Sequence, residues 1–191
     1  MLKNTPLKLV IIAIVLILVS FPLPYWTVIM DAPTYPTRNL SMRVYLTYFE
    51  GDIDEWNVVG NFVGVKVPPP IPEEVFTIVP IAVGLVVLLS ILSIIKPQLL
   101  KFTIWGPWVV LTALAAWTQY SLYLFGHDLD PNAPLRVLKP FTPPVIGVIQ
   151  IYSLTTYHLP HVGSFLFVTA GILLFLANRK LKKENQVAEA A

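Results

Sequence analysis

The sequence predicts an all-α transmembrane fold: a four-helix membrane bundle carrying a small extracytoplasmic α+β cap built from two long loops. Three observations predict it. Apolar residues make up 55% of the 191-residue chain and charged residues only 13%, a balance too apolar for an ordinary soluble domain. The charges avoid four long segments. The lysines and arginines between those segments are also distributed unevenly, crowding into the short connections and thinning out in the long ones.

The four segments are residues 7–26, 75–95, 102–125 and 161–177. A bilayer core about 30 Å thick needs roughly 20 apolar residues in a helix, and helices satisfy their own backbone polar groups in lipid. Lys3 and Lys8 precede the first apolar run, as in a signal peptide. That run ends Ser20-Phe21-Pro22-Leu23-Pro24-Tyr25-Trp26 without a small-x-small cleavage site, so residues 1–26 are expected to be an uncleaved signal anchor. Tyr25 and Trp26 are expected at the outer headgroup level. Lys3, Lys8, Lys96, Lys101, Arg179, Lys180, Lys182 and Lys183 lie in very short segments. Arg38, Arg43, Lys66, Arg136 and Lys139 are spread over two long ones. The bias predicts a cell-membrane protein with both termini, the 96–101 turn and the 178–191 tail cytoplasmic. Loops 27–74 and 126–160 then face outward.

Loop 27–74 has folded character. From Leu40 to Phe49 the residues alternate, with Leu40, Met42, Val44, Leu46 and Tyr48 on one face, which predicts a half-covered strand. A lone strand is marginal, so a partner is expected around residues 62–67. Asp52, with Glu55 three residues on, has the spacing of a capping box opening a short amphipathic helix. Gly64 is placed to stop that helix. Pro68-Pro69-Pro70-Ile71-Pro72 predicts a stiff extended arm.

Loop 126–160 begins GHDLDPNAPLRV and continues PFTPPVIG. Its five prolines before Val145 exclude a long helix there. Asp130-Pro131-Asn132 reads as a turn. The run from Val145 to Tyr157 fits a helix or a strand equally well, and Pro160 suits the first turn of the last helix.

In the span interiors, away from Lys8 and His161 at the ends, the polar groups are Ser20, Ser90, Ser93, Thr103, Thr112, Gln119, Ser164 and Thr169. Proton- or ion-coupled transport, a haem held between helices and an intramembrane protease all call for ionisable groups or histidine there. There is no cysteine, so disulfide and thiolate chemistry are unavailable. No phosphate loop, nucleophile elbow or zinc-protease motif occurs, and the basic residues form no stripe suited to nucleic acid. The chain is therefore expected not to be an enzyme. All three histidines, His127, His158 and His161, fall at the outer ends of the spans, near Asp128 and Met30. Imidazole, carboxylate and thioether groups are copper ligands among other uses. These five residues are the candidate metal site, although polar residues at a bilayer interface are common in any case. Trp56, Tyr48, Phe62 and Phe141 are the candidate partner surface, because apolar residues left exposed on a cap mark protein contacts.

Four motifs occur in order: MDAPTYP at 30–36, GDIDEWN at 51–57, GHDLDPNAPLRV at 126–137 and PFTPPVIG at 140–147. As a set they resemble a small family of four-span membrane proteins encoded beside nitrous oxide reductase genes. The resemblance implies an accessory protein that supports an extracytoplasmic copper or respiratory enzyme, by docking it or a maturation factor. The alternative is a structural subunit of a respiratory complex that touches quinone through Trp117, Tyr120 and Tyr123. His127 and Asp128 match the family pattern. Asn61 and Val65 stand where the family has histidine and methionine, which removes two of its potential copper ligands from this chain.

Overall fold

The computed structural model describes residues 4–67, 74–134 and 139–189. The chain divides into two compact units: one of Met1–Leu23, Thr77–Thr112 and Val162–Ala191, the other of Pro24–Phe76 and Ala113–His161.

The first unit is helical. Helix α1 (Asn4–Ser20) packs along α6 (Val162–Glu189). Val10, Ala13 and Ile17 are fully buried on α1, and Phe167, Ala170, Leu174 and Ala177 on α6, spacings of three and four that lay each set along one helix face. The alanines let the backbones approach closely. Helix α3 (Val75–Ile95) buries Val83, Val86, Ser90 and Ser93 and carries Pro80 in its first half. A 3-10 turn (Pro97–Leu99) and the one-turn α4 (Leu100–Thr103) lead into α5 (Gly106–His127), whose first residues belong to this unit. The hydroxyls of Ser20, Ser90, Ser93, Thr103 and Thr169 donate to carbonyls of their own or the preceding turn, so these polar atoms present little unmet demand to an apolar surrounding.

The segments Val75–Ile95, Pro97–His127 and Val162–Val187 are long and apolar enough to cross a membrane. Helix α1, at 17 residues, rises roughly 25 Å. It ends at Ser20, and Trp26 belongs to a strand.

The second unit corrects the all-α expectation. It holds a five-stranded antiparallel sheet in the order β3-β2-β1-β5-β4. The strands are β1 (Trp26–Asp31), β2 (Leu40–Val44), β3 (Phe49–Gly51), β4 (Gly147–Ile151) and β5 (Leu154–Pro160), with helix α2 (Ile53–Val63) following β3. The protein is thus mixed α and β, and the sheet is a principal element of it. Its central strand, β1, continues the apolar run of α1 in sequence, so hydropathy merges the two. Geometry separates them, because Pro22 and Pro24 break the helix and Trp26-Thr27-Val28-Ile29 is rich in strand-favouring residues.

The alternation from Leu40 does mark a strand, shorter than expected. It stops at Val44, where Tyr45 N–H donates to Tyr48 O at 2.9 Å and turns the chain into β3. Its partners are β1 and β3, not residues 62–67, which finish α2 and leave it without pairing. The ambiguous 145–157 run is a hairpin of β4 and β5. Pro160 ends β5 opposite Trp26 and does not open α6, a strand-end position that needs no donor from it. The Pro68–Pro72 arm lies outside the described residues, as does Arg136.

Helix α2 begins after Asp52 without the expected capping box: no side chain caps it. Asp52 instead accepts hydrogen bonds from the Ser41 backbone N–H at 2.8 Å and from Arg38. Gly64 does stop the helix, at φ +90° with its N–H bonded to Gly60 O. That conformation suits glycine, and a Cβ there would also press on Ala133. Val28, Met30, Leu40 and Met42 from the sheet and Trp56, Val59 and Val63 from α2 form one buried core.

Candidate functional site

The pairing register fixes which side chains meet on the inner face of the sheet. Val28 stands opposite Met42 on one side and His158 on the other. Met30 stands opposite Leu40 and Thr156. Met42, Val28 and His158 therefore form one row across β2, β1 and β5, and Leu40, Met30 and Thr156 form the next. Because strand side chains alternate between faces, Tyr157 and Leu159 on either side of His158 point the other way and are exposed, while His158 is buried.

These rows wall a cavity of about 50 Å³. Met30, Met42, Thr156 and His158 line it from the sheet, Trp26 from the start of β1, and Trp56 from α2. Phe125 and Phe141, which meet edge to face at 6.0 Å, complete the lining with other apolar residues. Asp130 N–H donates to Gly64 O at 2.9 Å, and Phe141 N–H to Gly126 O at 3.1 Å. These bonds tie the second loop to the end of α2 and to α5. A Cβ on Gly126 would collide with the Phe141 carbonyl.

Two polar atoms on the cavity's lining residues have no partner among the described residues: Trp56 Nε1 and His158 Nδ1. Unpaired buried polar groups cost free energy and are uncommon. The other ring nitrogen of His158, Nε2, lies 3.2 Å from Thr156 Oγ1, and Thr156 Oγ1 donates towards Ile149 O at 3.5 Å. With its proton so directed, the hydroxyl oxygen accepts from His158 Nε2–H. The lone pair is then on Nδ1. Burial lowers the imidazole pKa to about 4, so the ring is neutral near pH 7. The Trp26 ring lies against it, centroids 5.3 Å apart.

The remaining candidate metal ligands are used differently. His127 Nδ1 is 2.9 Å from Tyr123 O, and the ring stacks on Tyr123 at 3.9 Å. Asp128 pairs with Lys66, both well exposed. His161 follows β5, and its backbone N–H donates to Tyr25 O at 3.0 Å. Among the described residues no three His, Cys, Asp or Glu side chains gather as a metal cluster. Of the five candidates, the structure brings Met30 and His158 to one cavity. Met42 and Thr156 join them there, and sequence reasoning missed both as site residues. The alternation that put Met42 on one face with Leu40 was the available signal. Asp130 forms the expected turn, accepting from Asn132 N–H at 2.8 Å.

Of the candidate partner residues, Trp56 is a core residue, 5% exposed. Phe141 is partly buried against the same core. Tyr48 and Phe62 are exposed, and Tyr48 stacks on Tyr45 at 4.4 Å. No protein-family model matches the chain, and no curated protein matches it.

Proposed function

We propose that this is an integral membrane protein whose helices anchor a folded extracytoplasmic unit, and that this unit docks an extracytoplasmic respiratory or copper enzyme or its maturation factor. The observation that carries the reading is the pairing of β1 with β5. One strand follows α1 and the other precedes α6, with α3 and α5 between them in the chain. Two crossings between the paired strands, by α3 and α5, return the chain to the side it left, as one sheet built from both loops requires. Lys96, Lys101 and Arg179 to Lys183 fall on the opposite side of such a scheme, as the positive-inside bias requires. The exposed apolar side chains of α3, among them Ile78, Ile81, Leu85 and Leu88, suit lipid better than water. Docking is supported by the exposed Tyr48, Val58 and Phe62 and by the family resemblance of the four motifs.

The chain has no cysteine, so single introduced thiols report topology cleanly. In intact cells Gln150→Cys should react with a membrane-impermeant maleimide, and Lys182→Cys only after lysis. Equal labelling of both would overturn the topology. For docking, the tagged chain cross-linked in its native membrane should retain a respiratory enzyme or maturation factor and lose it in Tyr48→Ala/Phe62→Ala. Recovery of the chain alone, with unchanged respiration in its absence, would overturn that part.

A further inference from the structure

We infer that the cavity between the sheet and α2 is a binding site for a single monovalent copper ion, held by His158 Nδ1 and the thioethers of Met30 and Met42. The inference rests on the cavity and is independent of the docking reading.

A soft d10 cation selects thioether and imidazole donors, whereas hard cations require oxygen. The cavity offers two thioethers and one imidazole from three neighbouring strands of the same face. Met30 stands one row from both Met42 and His158, on the strand between theirs. Diagonal neighbours of this kind lie about 7–8 Å apart at the backbone, so long side chains can converge over Val28. His158 is 3% exposed, and its Nδ1 has no partner among the described residues. Thr156 Oγ1 holds Nε2, as a carbonyl or hydroxyl holds the outer nitrogen of a metal-bound histidine, which leaves Nδ1 as the nitrogen for the ion. Because the ring is already neutral, binding displaces no proton near pH 7. A cavity of about 50 Å³ admits an ion. The indole of Trp26, beside His158, adds an aromatic face, which attracts a cation. Among the described residues no carboxylate lines the cavity, so the set suits a single positive charge better than a double one.

The test uses the full-length chain purified in detergent under reducing, oxygen-free conditions, titrated with Cu(I) buffered by a coloured Cu(I) chelator. The chain should take one equivalent, and X-ray absorption should show sulfur and nitrogen neighbours. Met30→Leu and Met42→Leu, which keep size and apolar character, should each weaken binding at least tenfold. His158→Leu should abolish it, and His127→Ala should leave it unchanged. Ag(I) should compete for the site and Zn(II) should not. Should His158→Leu fail to fold, the Met30→Leu/Met42→Leu double variant decides the matter. No uptake by the wild-type chain would overturn the inference. So would equal uptake by the double variant, or loss in His127→Ala.

Discussion

The indole Nε1–H of Trp26 donates a 2.7 Å hydrogen bond to the carbonyl oxygen of Val145, 119 residues along the chain. The bond ties the start of the central strand to the segment that enters the edge hairpin, and the same ring lies against His158. One side chain thus closes the sheet across the two loops.

Trp26→Phe keeps an aromatic ring but removes the donor, leaving Val145 O to find another partner. An unmade, partly buried hydrogen bond costs about 1–2 kcal/mol, and the smaller ring adds a packing loss. The expected result is a lower midpoint for loss of the near-ultraviolet circular dichroism of the tryptophans, with far-ultraviolet helix signal retained. An unchanged midpoint would show that the bond contributes nothing to holding the loops together.

Asp52 and Glu55 make predictions of different size although both contact Arg38. Arg38 is half exposed, and surface ion pairs are worth about 0–1 kcal/mol. Glu55→Ala should therefore cost under about 0.5 kcal/mol. Asp52 also accepts from the Ser41 backbone N–H at the edge of β2, where Asp52 N–H in turn donates to Ser41 O at 2.9 Å. Asp52→Ala should cost about 1–2 kcal/mol, and raising the salt should not erase the difference between the two variants. Denaturant midpoints of the pair provide the comparison; equal losses would mean that Arg38 alone accounts for both.

Much of this structure was legible from local chemistry. Helix α2 and its stop at Gly64, the inward set Leu40 and Met42, and the turn at Asp130 all follow from residue type and spacing. What sequence left hidden was long-range pairing. The partner of Leu40–Val44 is a strand whose Val28 and Ile29 read as the tail of an apolar helix, because a buried strand and a buried helix share composition. Asp52 was misread for a related reason: its carboxylate can bond either its own helix or Ser41 on a neighbouring strand. Only the register decides between them. The candidate site divided the same way. Met30 and His158 are far apart in sequence and met on one sheet face, while His127 and Asp128, adjacent in sequence to a conspicuous loop, turned to Tyr123 and Lys66.

His158 also predicts how acid acts on the sheet. Its folded pKa is lowered by burial to about 4, against about 6.5 in an unfolded chain. Between these values the unfolded state binds the proton and the folded state does not. The contribution to stability is therefore complete above pH 6.5, declines as the pH falls towards 4, and changes no further below that. The full span is worth about 3 kcal/mol. Replacing His158 with leucine removes the titrating group, so the wild-type chain should lose more stability than His158→Leu between pH 7 and pH 4, with the excess confined to that window. Melting curves of the tryptophan signal for both proteins across the range measure it. Parallel pH profiles would mean that His158 gains its proton as easily in the folded chain as in the unfolded one, which its burial among Trp26, Val28 and Thr156 argues against.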